Sequence, residues 1–497
     1  MRLYRRAHDA KRDIWDAKAP TLSDFVPTGN VASMEAAARA DAQASRERIL
    51  HAAATLIEDR RTSMAQIAAA ANVSRSTLYR HFATRQDLAA ELEQVQAREP
   101  SAQVTTLPYQ APGHLGRSKP MALEVTHILD EVPPHLIADQ LVAEARRAAG
   151  VPVALYVVDI DGSQLIRLAG SEDFPEILDA PPALGPEIVP EGLPGYYERL
   201  RDTLPRCEAT PLWLRGRVLG LLLCVGMPLT ELEDIARQGA AALELANDYT
   251  DLIESARRRK PTTAAAEIQH HLLPPRIARI TGGQLAGGLL PTYEVGGDWF
   301  DFVENRDGAW LAIADAAGSG PTAAGLGATA VGALRAARRA GQDLAQVAAS
   351  MDEVIRVLGN PQFTLTAILA RWHAPTSILT WINCGHPPGH IAKPDGTLTE
   401  LDGPVHAPLG SLENAREFEI STMRLEAADR LVLVTDGIMH REVEGGGTFG
   451  LDGLRRAVRE ATAVTAAATA MAIQHTVTSC WTEPLQDVAT IVVLAVD

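Results

Sequence analysis

The chain of 497 residues has few cysteines and no long apolar run, and both shortages restrict what kind of protein it is. Its four cysteines lie far apart without a CxxC pair, which argues against a disulfide framework and against a thiolate metal site. The longest apolar stretch, residues 218–229, is too short to span a bilayer, and no signal-peptide pattern follows the basic opening MRLYRR. We therefore expect a cytoplasmic protein with reduced thiols and no membrane partner.

The chain also lacks an excess of positive charge, since 46 basic and 62 acidic side chains leave a formal charge of −16. A global balance of this kind argues against a protein built mainly to coat nucleic acid. The charge is not evenly spread, however, because residues 1–100 carry 15 basic and 13 acidic groups, so the other 397 residues hold the net negative charge. Five arginines and no acidic residue lie within residues 60–86, so DNA binding by this region is allowed.

Length and composition predict several folded domains. At roughly 150 residues per domain, a chain of this length would have about three, and 46% hydrophobic residues with 22% charged residues is the range of globular proteins. A proline- and glycine-containing stretch without apolar periodicity predicts a linker at residues 96–120. The predicted divisions are an extension at 1–37, a helical head at 38–95, the linker, a middle unit at 121–257 and a C-terminal unit at 258–497.

The head has the pattern of three short helices. Ile49 and Ala53 recur at helical spacing, and Ser74 is a good N-cap for a third helix with Leu78 and Phe82 facing inward. The outward residues of that helix are the hydroxyls and cations that a major-groove helix uses on phosphates and base edges. These candidate DNA-binding residues are Arg75, Ser76, Thr77, Tyr79, Arg80 and His81. A bundle whose outer face is only solvated remains the alternative from periodicity.

The head sequence RERILHAAATLIEDRR followed by SMAQIAAAANVSRSTLYRHFATRQDL resembles the DNA-binding half of TetR-type repressors. The resemblance implies operator contacts by Thr77, Tyr79, Arg80 and His81. Asn72 replaces the glycine usual in the turn, and asparagine tolerates the left-handed backbone. The ligand-binding and dimerisation half of that family does not follow, so a homodimer on DNA requires another part of the chain.

The middle unit alternates strands and helices. Residues 152–159 read as a strand, with a turn after them and a hairpin partner from Gln164, and a second hairpin turns at Arg215 to Arg217. With helical stretches before and after, this α+β pattern resembles a GAF domain, although it carries no diagnostic ligand residues. A structural role and small-molecule sensing both remain open. The trailing helix predicted at 231–258 has Ala and Leu positions for pairing with a second copy of the chain.

Four aspartates of the C-terminal unit follow or interrupt strand patterns in glycine-rich sequence. They are Asp298 in EVGGDWFD, Asp315 in WLAIADAAGSG, Asp436 in RLVLVTDG and Asp487 in QDVATIVVLAVD. Clustered carboxylates at strand ends are costly unless positive charge lies among them, and Mg²⁺ and Mn²⁺ prefer such oxygen ligands. From spacing alone, four separate turn-forming aspartates are the alternative.

The order of motifs in the C-terminal unit resembles the SpoIIE-type branch of the PPM metal-dependent Ser/Thr phosphatases. The motifs run from AAAEIQHHLLPP through GGDWFD, NCGHPP, LVTDG and FG to the DVAT ending. The resemblance implies an α/β/β/α sandwich with two Mn²⁺ or Mg²⁺ ions, or three, at one end. By position, Asp315 would bridge two ions, the Ala316 carbonyl would complete one, Asp436 and Asp487 would hold the second, and Asp298 would ligate directly or through water. Gly296, Gly297 and Gly437 would let the backbone approach the cluster.

The same resemblance implies a phosphoserine or phosphothreonine protein phosphatase acting on an anti-sigma-factor antagonist in bacterial signalling. Two ions about 3.5 to 4 Å apart acidify a shared water and clamp a phosphoryl group, so Cys384, His386 and the His270–His271 pair are expected to be structural. Val488 stands where the family usually has a second acid, and Ala316 and Ser319 also depart from the family pattern. The alternative is a TetR-like transcriptional regulator whose phosphatase-like domain is weak or inactive.

Overall fold

The computed structural model describes residues 131–497 except 294–295, 413–416, 484 and 486, together with part of the helical head. The chain divides into two compact units, residues 1–115 and 116–497. The predicted extension at 1–37 and the linker predicted at 96–120 contribute no described residue, so these predictions lie outside what the structure describes. The described residues of the head are 46, 49–50, 53, 64–71, 73, 77–78, 81–82 and 88.

The head packs around a small apolar core. Helix α1 spans Met64–Ala70, and the backbone turns after it through hydrogen bonds from Ala71 N to Ile67 O and from Val73 N to Ala68 O, both 3.0 Å. Leu78 is fully buried and Phe82 is buried, so the inward face predicted for this segment is confirmed. The other core residues are Ile49, Ala53, Ile67, Ala68 and Leu88.

The middle unit has two β-hairpins at the positions that the sequence predicts. Strand β1, Val153–Val158, is buried along its whole length and pairs antiparallel with β2, Gln164–Gly170. The second hairpin turns at Arg215 and Gly216, whose φ angles of 50° and 86° lie in the left-handed region. The remaining elements are α2 (Ile137–Ala149), β3 (Ile177–Asp179), β4 (Ala183–Leu184), β5 (Glu187–Ile188), α3 (Leu193–Thr203), β6 (Cys207–Leu214), β7 (Arg217–Val225), α4 (Glu233–Asn247) and α5 (Leu252–Arg257).

These strands form a seven-stranded sheet with helices on both faces. The strand order is β3-β2-β1-β7-β5-β4, and β6 pairs with β7. One face packs on α2 and α4 through Leu141 and Ile235, and the other packs on α3 through Leu193 and Tyr196. The α+β architecture is as predicted, and the GAF-like assignment stays a prediction.

The prediction of a single trailing helix at 231–258 is wrong. The structure has two helices, α4 and α5, because the chain leaves the helix after Asn247 and the Thr250 hydroxyl accepts a hydrogen bond from Leu252 N at 3.3 Å. Part of the predicted Ala and Leu stripe is buried within the chain, with Ala240 fully buried and Leu243 buried against α2 and the sheet, whereas Leu245 is 67% exposed. Homodimer formation remains a prediction.

The C-terminal unit contains two six-stranded sheets. The first has the order β10-β11-β12-β13-β16, with β17 paired to β13, and the second has the order β15-β14-β18-β19-β9-β8. The strands are β8 (Ile277–Ile280), β9 (Gly283–Leu290), β10 (Trp299–Asn305), β11 (Gly308–Ala316), β12 (Leu365–His373), β13 (Ile378–Cys384), β14 (His390–Ala392), β15 (Leu398–Glu400), β16 (Val405–His406), β17 (Ser421–Arg424), β18 (Arg430–Val434) and β19 (Ala489–Val496).

The two sheets pack face to face between two layers of helices. Phe300 and Ile313 of the first sheet meet Leu433 and Val492 of the second in one buried cluster. Alternating inward and outward side chains give each sheet a second apolar face, which the helices cover. The result is the predicted α/β/β/α layering. The helices are α6 (Ala264–Leu272), α7 (Gly320–Arg339), α8 (Leu344–Val357), α9 (Asp436–Met439), α10 (Gly450–Glu460) and α11 (Ala466–Ser479).

The middle and C-terminal units share part of one core. Leu184 and Val189, from the β4–β5 segment, are buried in the same cluster as Ile277 and Ala286 of the second sheet. Glu187 accepts a hydrogen bond from Ile277 N at 2.8 Å. These contacts lie within the single compact unit of residues 116–497. Across the part of the chain that the structure describes, none of the helices is both long enough and apolar enough for a membrane span.

Candidate metal centre

The four candidate aspartates lie at the ends of strands from both sheets. Asp298 directly precedes β10 and Asp315 is near the end of β11, and these strands pair with Trp299 opposite Ala314. Asp436 begins α9 directly after β18, and Asp487 lies just before β19, which pairs with β18. Each sheet therefore contributes two of the aspartates from neighbouring antiparallel strands.

Glycines allow these strand ends to come together. A Cβ on Gly297 would lie 2.0 Å from the carbonyl oxygen of Ala316, and a Cβ on Gly437 would lie 2.1 Å from the carbonyl oxygen of Val488. A Cβ on Gly296 would lie 2.3 Å from Cγ2 of Val488, which joins the two pairs of strands. No residue with a side chain fits at such distances, so the strand ends need glycine at these three positions. The approach of this backbone to a metal cluster stays a prediction.

A hydrogen bond links the two sheets at this point. Thr435, fully buried at the end of β18, donates its hydroxyl to Oδ2 of Asp298 at 2.8 Å and accepts from Thr490 N at 2.9 Å. The carbonyl of Asp298 accepts a hydrogen bond of 2.7 Å from Nε2 of the buried Gln269 on α6. Asp298 is 3% exposed, so these contacts hold its backbone and its carboxyl group in one position.

Burial and neighbouring carboxyl groups raise the pKa values of Asp298 and Asp315. Burial raises the pKa of Asp298 well above its usual range, and the charge of Asp315 adds to this shift. Burial also raises the pKa of Asp315 to about 6, and the charges of Asp436 and Asp487 act in the same direction, although a hydrogen bond with Asp298 opposes them. Paired carboxyl groups of this kind share a proton when no cation is present. Asp315 thus lies within electrostatic reach of the other three aspartates.

The donor set suits hard divalent cations, since it consists of carboxylate oxygens and the carbonyl of Ala316 beside Gly297. A bound dication would offset the repulsion between such clustered carboxylates and lower their raised pKa values. Among the residues that the structure describes, however, no three His, Cys, Asp or Glu side chains lie close enough together to hold one ion. The metal ligand set Asp298, Asp315, Ala316, Asp436 and Asp487 therefore stays a prediction.

A cavity of about 300 Å³ opens beside the second pair of aspartates. Asp436 and Asp487 line it together with His440 and Arg441. His440 is exposed, whereas Arg441 is buried and donates to the carbonyl oxygens of Trp481 and Glu483. The cavity leaves Asp436 and Asp487 accessible from outside the fold.

The histidines and the cysteine expected to be structural are held by the fold. His270 Nε2 lies 2.7 Å from the carbonyl oxygen of Thr292, and His271 is exposed. Cys384 is fully buried, and His386 Nδ1 lies 2.9 Å from the carbonyl oxygen of Pro387. Ser319, the departure from the family pattern, is exposed just before α7.

Only two of the candidate DNA-binding residues are described. Thr77 and His81 are helical and half-buried beside the core residues Leu78 and Phe82. The other four predicted positions, Arg75, Ser76, Tyr79 and Arg80, lie outside the described residues.

Two residues of the site were not predicted. Thr435 directly precedes Asp436, and a threonine that follows a buried strand is a candidate donor to a buried carboxylate, so the sequence contained a signal for it. Gln269 contacts the carbonyl of a residue 29 positions away, and helical periodicity gives no indication of such a contact.

Comparisons with known proteins match two parts of this architecture. Residues 305–497 match the family model "Stage II sporulation protein E (SpoIIE)", which covers three of the four aspartates. Residues 305–497 are therefore similar to SpoIIE-type domains. Residues 49–92 match the model "Bacterial regulatory proteins, tetR family", which covers the candidate DNA-binding residues. The SpoIIE-type and TetR-type resemblances are confirmed by these matches.

The chain is similar to part of the phosphoserine phosphatase RsbU of Bacillus subtilis, with 23% identity over 183 residues. The match covers 37% of this chain and 54% of RsbU, so the chain spans about half the length of this curated relative.

Solved structures are also similar to the chain. The SiaA-PP2C domain of Pseudomonas aeruginosa is 22% identical with a TM-score of 0.40, over 52% of this chain and 99% of that one. A structure of the PP2C phosphatase domain and a regulatory fragment of SpoIIE from Bacillus subtilis is 12% identical with a TM-score of 0.37, over 63% of this chain and 77% of that one. Scores this low support no functional inference.

Proposed function

We propose that the chain is a Mn²⁺- or Mg²⁺-dependent protein phosphatase that acts on phosphoserine or phosphothreonine in bacterial regulatory signalling. The observation that carries the proposal is the hydrogen bond from Thr435 to Asp298, which ties the carboxylate of Asp298 beside the first sheet to the residue directly before Asp436 in the second. Separate turn-forming aspartates would not need a buried link of this kind. The similarity of part of the chain to a phosphoserine phosphatase supports this reaction class.

In this proposal Asp298, Asp315, Asp436, Asp487 and the carbonyl of Ala316 would hold the ions, with Asp298 ligating directly or through water. Bound there, the ions would supply positive charge to the phosphoryl oxygens and acidify a water for in-line attack. The chain itself keeps Asp298 fixed through Thr435 and Gln269, so that its ligand oxygens need little reorganisation.

The open side of the site receives the substrate. Asp436 and Asp487 line the cavity beside it, and without cations their negative charges repel a phosphate group. Chelation of the metal should therefore abolish both turnover and phosphate binding at this site. The exposed His440 at the rim is placed to contact the phosphorylated protein.

For the substrate we propose an anti-sigma-factor antagonist phosphorylated on serine or threonine. The support is the similarity to RsbU, which is named a phosphoserine phosphatase. A panel of phosphorylated peptides and proteins would test the class, and faster release from phosphotyrosine than from phosphoserine would contradict it.

The experiment that tests the reaction is phosphate release from a phosphoserine peptide by the full chain with Mn²⁺. We expect turnover that EDTA removes and that Asp315→Asn and Asp436→Asn each lower by at least roughly a hundredfold, since each change removes a ligand. Asp452→Asn, which changes an exposed carboxylate on α10, is the matched control and should keep wild-type activity. Full activity in either ligand variant would overturn the proposal.

A second proposed function is DNA binding by the head, which the match to TetR-type regulators favours. Thr77 and His81 lie half-buried on the helix whose other face packs into the head core. The variant with both Tyr79→Ala and Arg80→Ala should bind operator DNA more weakly and with a flatter salt dependence. If the wild type does not bind duplex DNA near about 50 mM salt, the head is a helical interaction module instead.

The two proposed functions give different results in one comparison. A chain that binds no Mn²⁺ and releases no phosphate, yet protects a defined operator, would be a transcriptional regulator with an inactive phosphatase-like domain. Phosphate release by both the full chain and a variant with a disrupted head would make the phosphatase the main activity. The GAF-like middle unit and the homodimer are part of the same proposal.

A further inference from the structure

A second cavity, of about 220 Å³, lies where the middle unit meets the C-terminal unit. It is separate from the candidate metal centre, and charged side chains from both units line it. Its polar lining includes Glu187, Arg217, Asn247 and Arg257 of the middle unit and Arg276 of the C-terminal unit. Ligand sites occur preferentially at such junctions between units.

The carboxylates of this cavity are already paired. Glu187 accepts from Nη1 of Arg217 at 2.7 Å and from Ile277 N at 2.8 Å, so both of its oxygens are engaged. Arg217 also pairs with Glu244. Glu254 accepts from Nη1 of Arg257 at 3.0 Å and from Nη1 of Arg258 at 2.7 Å. None of these acids makes a hydrogen bond to Arg276.

Arg276 is a buried cation with an unpaired donor. It is 6% exposed, and its buried Nη1 has no hydrogen-bond partner within the described part of the chain. The ring of Phe300 lies beneath it, with the guanidinium carbon 5.4 Å from the ring centroid. Burial lowers the pKa of Arg276 to about 10, although the charges of Glu187 and Glu254 act in the opposite direction. An unpaired buried charge is costly, so a fold that keeps one needs a reason.

Two more polar atoms at the same cavity lack partners. They are Nε of Arg257 and Oδ1 of Asn247, and neither makes a hydrogen bond among the described residues. Arg257 itself is 9% exposed. Two guanidinium groups therefore offer donors around one cavity. Guanidinium groups match the geometry of carboxylate and phosphate oxygens.

We propose that this cavity binds a small anion, a molecule with a phosphate or carboxylate group, between the middle and C-terminal units. The unpaired donors of Arg276 and Arg257 bind its oxygens, and the Asn247 carbonyl oxygen accepts from a hydroxyl or a protonated oxygen of the same molecule. A volume of about 220 Å³ limits the ligand to a few heavy atoms beyond its charged group. Since its walls come from both units, the bound anion stabilises their junction.

The test is calorimetric unfolding of the full chain in EDTA, which removes phosphate binding through metal ions at the other site. Inorganic phosphate and succinate are each titrated against chloride at constant ionic strength. We expect at least one of them to raise the unfolding midpoint by several degrees in a saturable manner. A shift with phosphate alone identifies a phosphate ligand, and a shift with succinate alone identifies a carboxylate ligand.

Arg276→Gln should abolish this shift, and Arg279→Gln is the matched control. Arg279 lies three residues further along the chain and is exposed in an ion pair with Asp497, so its loss should leave the shift unchanged. If Arg276→Gln does not fold, Asn247→Asp tests the same site, because an added carboxylate at the cavity should weaken anion binding at least tenfold. Absence of a saturable shift in the wild type up to about 50 mM anion, or an equal shift in Arg276→Gln, overturns the proposal.

Discussion

Single side chains determine whether the candidate metal centre can exist. Asp298 is buried beside Asp315, and a buried carboxylate is unfavourable unless its oxygens are hydrogen-bonded or neutralised. Thr435 supplies a hydrogen bond to this carboxylate, because its hydroxyl donates to Oδ2 of Asp298. The same hydroxyl accepts a hydrogen bond from Thr490 N.

Thr435→Val should remove both hydrogen bonds while keeping the shape of the side chain. A buried carboxylate oxygen and a buried backbone N–H would then lack partners, so we expect a loss of about 1–3 kcal/mol in the free energy of unfolding and weaker Mn²⁺ binding. Thr435→Ser, which keeps the hydroxyl, is the control. Urea unfolding and Mn²⁺ titration measure the two effects, and equal stability of the Val and Ser variants would contradict the role of the hydroxyl.

The raised pKa values predict the pH dependence of the metal-free protein. The folded state holds the Asp315 pKa at about 6, above its unfolded value, so it binds protons more readily than the unfolded chain does. This contribution to stability is present below the unfolded pKa and is lost as pH rises through about 6. In EDTA, the unfolding midpoint of the wild type should therefore fall between acid and neutral pH more steeply than that of Asp315→Asn. Parallel profiles would contradict the shift.

At the scale of elements, the site depends on how closely neighbouring strand ends approach. The start of α9 meets the residues before β19, with the Gly437 backbone against the carbonyl of Val488. Any side chain at this position would push Asp436 away from Asp487. The same reasoning applies to Gly297 and Ala316 in the first sheet.

Gly437→Ala should therefore lower stability and Mn²⁺ affinity, although it adds only one methyl group. Its Cβ would lie 2.1 Å from a backbone oxygen, so we expect a loss of about 1–3 kcal/mol and roughly tenfold weaker Mn²⁺ binding. Gly325→Ala on α7 is the control, because nothing lies within 4 Å of its Cβ and alanine favours the helix. Calorimetric titration with Mn²⁺ measures the affinity of both variants. An unchanged Mn²⁺ affinity in Gly437→Ala would contradict the account.

Elements could be predicted from the sequence where local pattern determines them. The two hairpins of the middle unit follow from alternating apolar residues around turn residues such as Gly216, and the four aspartates follow from strand ends in glycine-rich sequence. The break between α4 and α5 was missed because local hydrogen bonding at Thr250 outweighs helical periodicity there. The contact of Gln269 with Asp298 was missed because it depends on how α6 packs on the sheets.

At the scale of the molecule, the middle and C-terminal units are one compact body. Leu184 of the middle unit is fully buried in the core of the second sheet, and Glu187 joins the same junction by accepting from Ile277 N. The predicted boundary near residue 257 gave no indication of this, because sequence patterns report on local structure and these contacts join residues about 90 positions apart.

Leu184→Ala should therefore destabilise the phosphatase domain although it lies in the middle unit. Removal of a fully buried leucine costs about 2–5 kcal/mol, and the loss should lower the midpoint of thermal inactivation of phosphatase activity. Ile177→Ala, on the exposed strand β3, is the control, because this side chain is 51% exposed. Equal inactivation midpoints for the two variants would indicate that the units unfold independently.

The central claim is that four aspartates from two sheets form one two-metal centre, and electron paramagnetic resonance of the full chain titrated with Mn²⁺ tests it most directly. Two ions about 3.5 to 4 Å apart share ligands and are magnetically coupled. The account predicts two Mn²⁺ per chain with a coupled spectrum that Asp315→Asn removes, because this residue is placed between the ions. Binding of a single uncoupled ion, or of none, would contradict it.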